Sequence, residues 1–201
     1  MIKRSHLCGF VLGLMFLSTP ILDSCCRAEK LSGLDQRINN LTKDCVADII
    51  DQFDLLLTSG RLTMSHLFDT FYIPIPNTSP QKFHTQYDRL TDGILQPILD
   101  RCLEQDKRLV FVVAVDRNGY LPTHNSKYSQ PLTGDGDHDT KWNRTKRIFN
   151  DRTGLAAARN KEPYLLQHYS RDTGEVMTDL SVPIFIKGQH WGALRAGYQK
   201  E

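Results

Sequence analysis

Two extended apolar segments in the second half of the chain, each broken by a tight turn, constrain the fold most strongly. The first segment runs over residues 108–116 and breaks at Asn118-Gly119. The second runs over 176–186 and breaks at Lys187-Gly188. Segments rich in β-branched and aromatic residues that end at an X-Gly turn, such as Asn-Gly or Lys-Gly, are typical of antiparallel hairpins. The sequence therefore predicts a small, curved antiparallel sheet.

Five strands are predicted after residue 108, with a helical excursion between the second and the third. A further hairpin turn is indicated at 171–174, and helical patterns cover 141–150 and 154–159. This order gives a five-stranded antiparallel sheet with helices on its faces, which is an α+β fold. The predicted strands are 108–116, 120–124, 164–170, 176–186 and 190–198.

A long helix is predicted over residues 31–57, where apolar side chains recur at three- and four-residue steps until Gly60. An apolar stripe of this kind either packs along its own domain or pairs with a second copy of the chain. Packing within the domain is the default interpretation, and a homodimer through 31–57 is the alternative. The stripe consists of Leu34, Ile38, Leu41, Cys45, Ile49 and Phe53.

The region between the long helix and the sheet is predicted as an extended connector followed by a second helix. Residues 72–77 contain two prolines, which remove ladder donors and exclude a central strand. From 81 to 104 the apolar residues return to helical spacing, and Pro97 predicts a bend in that helix.

The first 28 residues have the composition of a secretory signal peptide. Lys3 and Arg4 supply the positive start, an uncharged apolar run follows, and Cys26 and Ala28 provide small residues before a cut at Glu29. The run is shorter than the about 20 residues that a membrane-spanning helix needs. We therefore expect export to the periplasm or the exterior. Retention as a membrane anchor or lipidation at Cys25 remain alternatives.

Cleavage before Glu29 would leave two of the five cysteines, Cys45 and Cys102, each on a predicted helix. In an oxidising compartment these two residues can form a disulfide. As reduced residues, both would pack as buried thiols. The sequence leaves the two possibilities open, while the lack of CxxC and CxxCH motifs disfavours a zinc ribbon and covalent c-type haem.

Charge and motif content exclude several functional classes. The formal net charge is only +2, without the concentrated basic excess of a nucleic-acid-binding protein, so no nucleic acid is expected as a partner. The sequence contains no GxSxG, no phosphate-binding glycine loop and no HExxH motif. The chain is therefore predicted not to be an enzyme, and neither a catalytic residue nor a metal site is assigned.

The strongest candidates for binding a ligand lie in a basic stretch, 143–149. Arg144 and Arg147 share a face at helical spacing, where two guanidinium groups can clamp a carboxylate or a phosphate. The alternative is that both arginines cover the surface and pair with the acidic residues at 135, 137 and 139.

Other candidate residues lie at the ends of predicted strands. His124 and Asn125 close the second strand and offer donor and acceptor groups, although a histidine bonded to nearby backbone is the simpler interpretation. Tyr120, Tyr169 and Trp191 are predicted as walls of the pocket. Alternation places Trp191 and Arg195 on one face of the last strand. Core packing explains Trp191 equally well.

Three strings in the sequence resemble one known family. VDRNGYLPTHN at 115–125, NRTKRIFNDR at 143–152 and HWGALRAGY at 190–198 are similar to the PAS-like, Cache-related sensory region of bacterial methyl-accepting chemotaxis proteins. Residues 67–69 and 73–77 resemble the segment that precedes this region. The resemblance covers about 61–198. It implies a sensory domain over 61–201, after a long N-terminal helix at 29–60.

The resemblance also implies a function. A domain of this kind binds a small polar or anionic molecule between sheet and helices, and segment 139–160 is expected to close over the sheet as a lid. Chemoreceptors continue into a long signalling coiled coil, which this sequence does not contain. The expected output is therefore a membrane receptor, another signalling partner or dimerisation. The alternative is a haem-binding or redox-responsive periplasmic protein, with a histidine ligating haem b.

Overall fold

Helix α1 (Gly33–Thr58) opens the part of the chain that the computed structural model describes, residues 31–170 and 174–200. The helix begins with a capping box, in which the Ser32 side chain accepts from the Asp35 amide and Asp35 accepts from the Ser32 amide. It ends at Ser59, before Gly60. The long helix predicted over 31–57 is confirmed. The predicted signal peptide lies outside the described residues.

Among residues 31–170 and 174–200, no helix combines the length and the apolar character that crossing a membrane requires.

Asp35 also joins the start of α1 to the end of the last strand. The Tyr198 hydroxyl donates to Asp35 Oδ1 at 2.5 Å, and the Lys200 ammonium donates to Oδ2 at 2.9 Å. Although burial opposes it, the hydrogen bonds from Ser32, Tyr198 and Lys200 lower the pKa of Asp35 to about 2. The two ends of the described chain are thus fastened to each other by one carboxylate.

A helical turn, two short strands and a second long helix follow α1. A single helical turn, α2 (Met64–Leu67), leads to β1 (Ile73–Ile75), which pairs with β2 (Lys82–His84) in an isolated antiparallel ribbon. Residues 73–75 are therefore extended and outside the main sheet, as their prolines predict. Helix α3 (Asp88–Glu104) begins later than residue 81, because 82–84 are held in that ribbon.

The main sheet has four antiparallel strands, where the sequence predicts five. The remaining strands are β3 (Leu109–Asp116), β4 (Tyr120–Leu121), β5 (Arg147–Ile148), β6 (Leu165–Ser170), β7 (Val176–Ile186) and β8 (Gln189–Tyr198). Their order in the main sheet is β3-β8-β7-β6, while β4 pairs with β5 outside it. The α+β class is confirmed, and the strand count is corrected.

The predicted fifth strand is interrupted by a side chain at the edge of β3 and by the turn that follows β3. Asn125 Oδ1 accepts the backbone N–H of Val112 in β3 at 2.9 Å. Asp116 accepts the amides of Asn118 at 2.8 Å and Tyr120 at 3.0 Å, which turns the chain after β3. The segment after Tyr120 therefore leaves the edge of β3 after two strand residues.

The helix predicted over 141–150 is also wrong. Helix α4 (Gly136–Trp142) lies earlier, and β5 (Arg147–Ile148) replaces the second half of the predicted helix. Lys146 has a φ of 61°, which belongs to the left-handed region and cannot continue a right-handed helix. Helix α5 (Arg152–Arg159) then covers the helical pattern predicted at 154–159.

The apolar stripe of α1 packs inside the domain. Ile38, Cys45, Ile49 and Phe53 are almost completely buried, and α1 lies against β7 and β8. These side chains belong to the larger apolar cluster, with residues of α3 and one face of the sheet. The default interpretation of the stripe is confirmed. The same buried side chains are not available for a homodimer interface.

Cys45 of α1 and Cys102 of α3 form a disulfide, with their Cα atoms 6.4 Å apart. Both residues lie within the larger apolar cluster, so the bond fastens the two helices on the side of the sheet that they cover. The question left open by the sequence is thereby answered in favour of pairing.

A β-bulge at Trp191 changes the face on which this side chain lies. Ile184 pairs with Gly192 and Phe185 pairs with His190, so Trp191 is the extra residue of β8. Trp191 therefore packs in the larger cluster with Leu194, rather than beside Arg195 as the alternation predicts. Its indole Nε1 donates to the carbonyl oxygen of Leu67 at 3.0 Å.

Replacing Gly192 with alanine is expected to lower the free energy of unfolding by about 1–3 kcal/mol, the usual cost of overpacking a core. A Cβ atom at this position would lie 2.0 Å from the Val115 carbonyl oxygen and 2.7 Å from Asp116 Cα. Both neighbours are backbone atoms and cannot swing away. Denaturant unfolding of the purified variant measures the change.

Gly93 within α3 provides the matched control, because nothing lies within 4 Å of a Cβ atom there. Gly93→Ala is expected to stabilise the protein by up to about 1 kcal/mol through higher helix propensity. A Gly192→Ala variant as stable as wild type would contradict the close approach of β8 to β3.

Candidate functional site

A cleft opens on the face of the sheet opposite α1 and α3. Alternate residues of β3 point to opposite faces, so Val112 joins the larger cluster while Phe111 and Val113 join a smaller one. Beside the smaller cluster are two cavities, a small one of about 30 Å³ and a larger one of about 460 Å³. Both are lined by Arg144, Phe149, Tyr169 and Arg195.

Arg144 and Arg147 lie on the same aromatic ring at this cleft. Their guanidinium carbons are 5.1 Å and 4.9 Å from the centre of the Phe149 ring, and both groups donate to the Thr140 carbonyl oxygen. Arg144 is 6% exposed and lines both cavities, whereas half-buried Arg147 lines the larger one. The structure brings the two predicted arginines together through a turn instead of a helix face.

Arg195 adds a third guanidinium group to the cleft. It lies in β8 and donates through Nε to Asp179 Oδ2 of β7 at 2.9 Å, with a second, shorter bond from Nη2. Although burial opposes it, the charge of Asp179 raises the pKa of Arg195. Arg195 is therefore a fixed cation whose orientation is set by a neighbouring strand.

His124 and Tyr169 also lie at the cleft. His124 lines the smaller cavity and is 3% exposed. Its Nδ1 atom accepts the backbone N–H of Asn125 at 2.8 Å, which leaves the proton of a neutral ring on Nε2. Its ring packs against Tyr128 with 4.8 Å between centroids. The bond to local backbone is therefore observed, and the role of His124 as a ligand contact stays a prediction.

Three predicted site residues lie outside the lining of the two cavities. Trp191 is in the larger cluster because of the bulge. Tyr120 is in that cluster as well, where its hydroxyl donates to the Phe83 carbonyl oxygen and to Asp88 Oδ2, both at 2.9 Å. Asn125 is used by the edge of β3. The prediction that Tyr120 and Trp191 form pocket walls is corrected.

A cluster of ionisable groups lies beneath the basic segment. Lys146 Nζ lies 2.5 Å from Asp92 and 3.1 Å from Asp88. Although burial opposes it, hydrogen bonds and charge from His84 and Lys146 lower the pKa of Asp88. This cluster attaches the segment to α3. Among the described residues, no group of three His, Cys, Asp or Glu side chains is arranged to hold a metal ion.

The sequence analysis missed Arg195 and Asp179 as site residues. Each is a charged residue inside a strand of otherwise small or apolar side chains. Charged residues are almost never fully buried unless they are paired, so their occurrence in two predicted neighbouring strands was a usable signal. Phe149 carried no comparable signal, because its role depends on the turn at Lys146.

No protein-family model matches the sequence, and no curated protein matches it. Solved structures do match. An extracellular ligand-binding receptor from Desulfohalobium retbaense is 13% identical, with a TM-score of 0.40 over 85% of this chain. The sensory domain of the Campylobacter jejuni chemoreceptor Tlp3, with isoleucine bound, is 14% identical, with a TM-score of 0.38 over 81% of this chain.

A further structure, the ligand-binding domain of the same chemoreceptor with L-valine, is 12% identical, with a TM-score of 0.39. This chain spans 26% of the length of the first match and 58% of the two chemoreceptor structures.

Proposed function

We propose that the chain is an exported sensor domain that binds a small polar or anionic molecule in the cleft beside Arg144, Arg147 and Arg195. The observation that carries the proposal is the convergence of three guanidinium groups on one cavity. Arg195 is paired with Asp179, and Arg144 and Arg147 line the same cavity beside it. Planar guanidinium groups suit carboxylates in particular, because they bind two oxygens at once.

The mechanism is closure of the lid segment, 139–160, over the sheet. This segment contains Arg144, Arg147 and Phe149, so a ligand bound to them also contacts Arg195 of the sheet. A ligand shifts the equilibrium only as far as it binds the closed form better than the open form. Strand β8 then carries the change to α1, which packs on its other face.

The proposed location is the periplasm or the exterior, with output through a membrane receptor or another partner. The Cys45–Cys102 bond supports an oxidising compartment. The composition of residues 1–28 supports export.

An anionic ligand is expected to raise the melting temperature, and Arg144→Ala is expected to remove that effect. A ligand at 100 times its dissociation constant stabilises the protein by about 2.7 kcal/mol, which corresponds to roughly 5–10 °C for a domain of this size. Thermal-shift screening of organic acids, amino acids and nucleobases measures this change. Arg61→Ala, at an exposed arginine outside the cleft, is the matched control.

The proposal fails if no compound in the screen stabilises the wild-type protein. It also fails if Arg144→Ala, folded and monodisperse, retains the full shift of a stabilising compound. Loss of the shift in Arg61→Ala would indicate a nonspecific effect of charge.

A further inference from the structure

Lys82 lies in β2, outside the lining of both cavities, and is only 3% exposed. The Lys82 ammonium group donates all three of its N–H bonds to one short segment. Nζ donates to the Asn143 carbonyl oxygen at 2.9 Å, to Asn143 Oδ1 at 2.7 Å and to the Thr145 carbonyl oxygen at 2.8 Å. Because Asn143 and Thr145 flank Arg144, Lys82 fixes the chain on both sides of that arginine.

The segment that Lys82 holds contains an uncommon turn. Lys146 has a φ of 61°, a conformation that persists in a non-glycine residue only where the surroundings determine it. Its amide donates to the Leu121 carbonyl oxygen at 2.8 Å, and its carbonyl oxygen accepts from the Phe83 amide at 2.8 Å. This turn lies between the two arginines of the segment and sets their mutual orientation.

We propose that Lys82 is a positioning residue of the cleft, which holds residues 143–147 in the shape that presents Arg144 and Arg147 to an anionic ligand. Lys82 acts through the segment, since it contacts Asn143 and Thr145 and lies behind the cavity wall. This inference rests on the proposed function. It adds the group that maintains the binding geometry.

Protonation of Lys82 and binding of an anion favour each other. Burial and then the charges of Arg147, Arg144 and Lys146 lower the pKa of Lys82 to about 8, against the opposing charge of Asp139. An anion bound by the arginines offsets their repulsion and raises the pKa of Lys82. By reciprocity, affinity is full below about pH 8 and decreases as the pH rises above it.

Calorimetric titration with acetate, malate and sulfate between about pH 7 and pH 9.5 tests the inference, because these anions are fully ionised across that range. Lys82→Met removes the ammonium group and is expected to weaken binding roughly 5- to 150-fold, the usual range for coupled sites. Lys82→Arg keeps the positive charge at all these pH values, so it is expected to restore binding and abolish its pH dependence. Lys107→Met, at an exposed lysine, is the matched control.

Hydrogen exchange without any ligand separates this inference from the proposed function. Lys82→Met is expected to speed exchange of the amides of 143–147 while α1 exchanges as in wild type, and Lys82→Arg is expected to slow it again. Unchanged exchange in Lys82→Met overturns the inference, whatever the anions do. If no anion binds wild type, the proposed function fails and the role of Lys82 in presenting arginines to a ligand fails with it.

The titrations decide the remaining outcomes. The inference is overturned if Lys82→Met binds an anion with the same affinity as wild type. If Lys82→Met does not fold, the pH profiles of wild type and Lys82→Arg decide it. A wild-type affinity that is constant across the pH range overturns the inference, and a decline that disappears in Lys82→Arg supports it.

Discussion

Asp179→Leu is expected to lower the free energy of unfolding by about 3–5 kcal/mol, because it leaves a buried cation without its partner. Asp179 is fully buried and accepts two hydrogen bonds from Arg195, which is itself 6% exposed. An arginine stays protonated when its partner is removed, so its charge remains in the sheet without compensation. Equilibrium unfolding in urea, followed by circular dichroism, measures the loss.

The double variant Asp179→Leu/Arg195→Met separates the charge from the packing. Replacing both members of a buried ion pair by apolar residues is often neutral or stabilising. We therefore expect the second substitution to recover most of the stability lost in the first. A double variant as unstable as Asp179→Leu alone would show that the pair is not the cause. The double variant is also expected to lose anion binding, because it no longer has Arg195 in the cleft.

Removal of the disulfide with Cys45→Ala/Cys102→Ala is expected to cost about 2–5 kcal/mol. The bond closes a loop with a sequence separation of 57, for which the loss of chain entropy in the unfolded state corresponds to about 4 kcal/mol. For a domain of this size, that loss lowers the melting temperature by roughly 8–16 °C. Differential scanning calorimetry without reductant measures it.

Reductant supplies the control for this variant. Wild type reduced with excess dithiol is expected to melt near the temperature of the double variant. The melting temperature of the double variant is expected to stay the same with and without reductant. A wild-type melting temperature unaffected by complete reduction would contradict a stabilising role for the bond between α1 and α3.

The local architecture was predictable wherever the periodicity of apolar residues and the turn glycines decide it. The stripe from Ile38 to Phe53 predicts the face that α1 buries, and Gly60 predicts where the helix ends. The glycines after β3 and β7 mark the turns that end those strands. These features depend on residues close in sequence, so no knowledge of the remaining chain was needed.

Other features depended on contacts between distant residues. The Asn125 side chain bonds the edge of β3, and nothing in the local sequence predicts that it accepts the amide of Val112, 13 residues earlier. The turn at Lys146 is maintained by Leu121 and Phe83, which are far from it in sequence. The bulge at Trp191 changes the face of this side chain, and neighbouring Gly192 marks an irregularity without showing which side chain is affected. Alternation along the strand cannot reveal such an extra residue.

The candidate site divides along the same line. Arg144, Arg147, His124 and Tyr169, which the sequence analysis selected, line the two cavities, and their role in binding stays a prediction. Trp191 and Tyr120 are absent from the lining, since their sides of the sheet were set by distant contacts. Lys82 was invisible to sequence reasoning, because its acceptors are mainly backbone carbonyls 61 and 63 residues away.

In the proposed sensor, the single sheet between the cleft and α1 determines how far a signal would have to travel. Arg195 faces the cleft, while its neighbours Leu194 and Ala196 belong to the cluster in which α1 packs. A residue that lines the cleft and two residues that lie against the α1 side are therefore direct neighbours in the chain. A shift of the Arg195 backbone is unavoidably a shift of the residues beneath α1. In the proposed sensor, the ligand contact and the helix contact would lie on the same strand, with no relay of intermediate side chains between them.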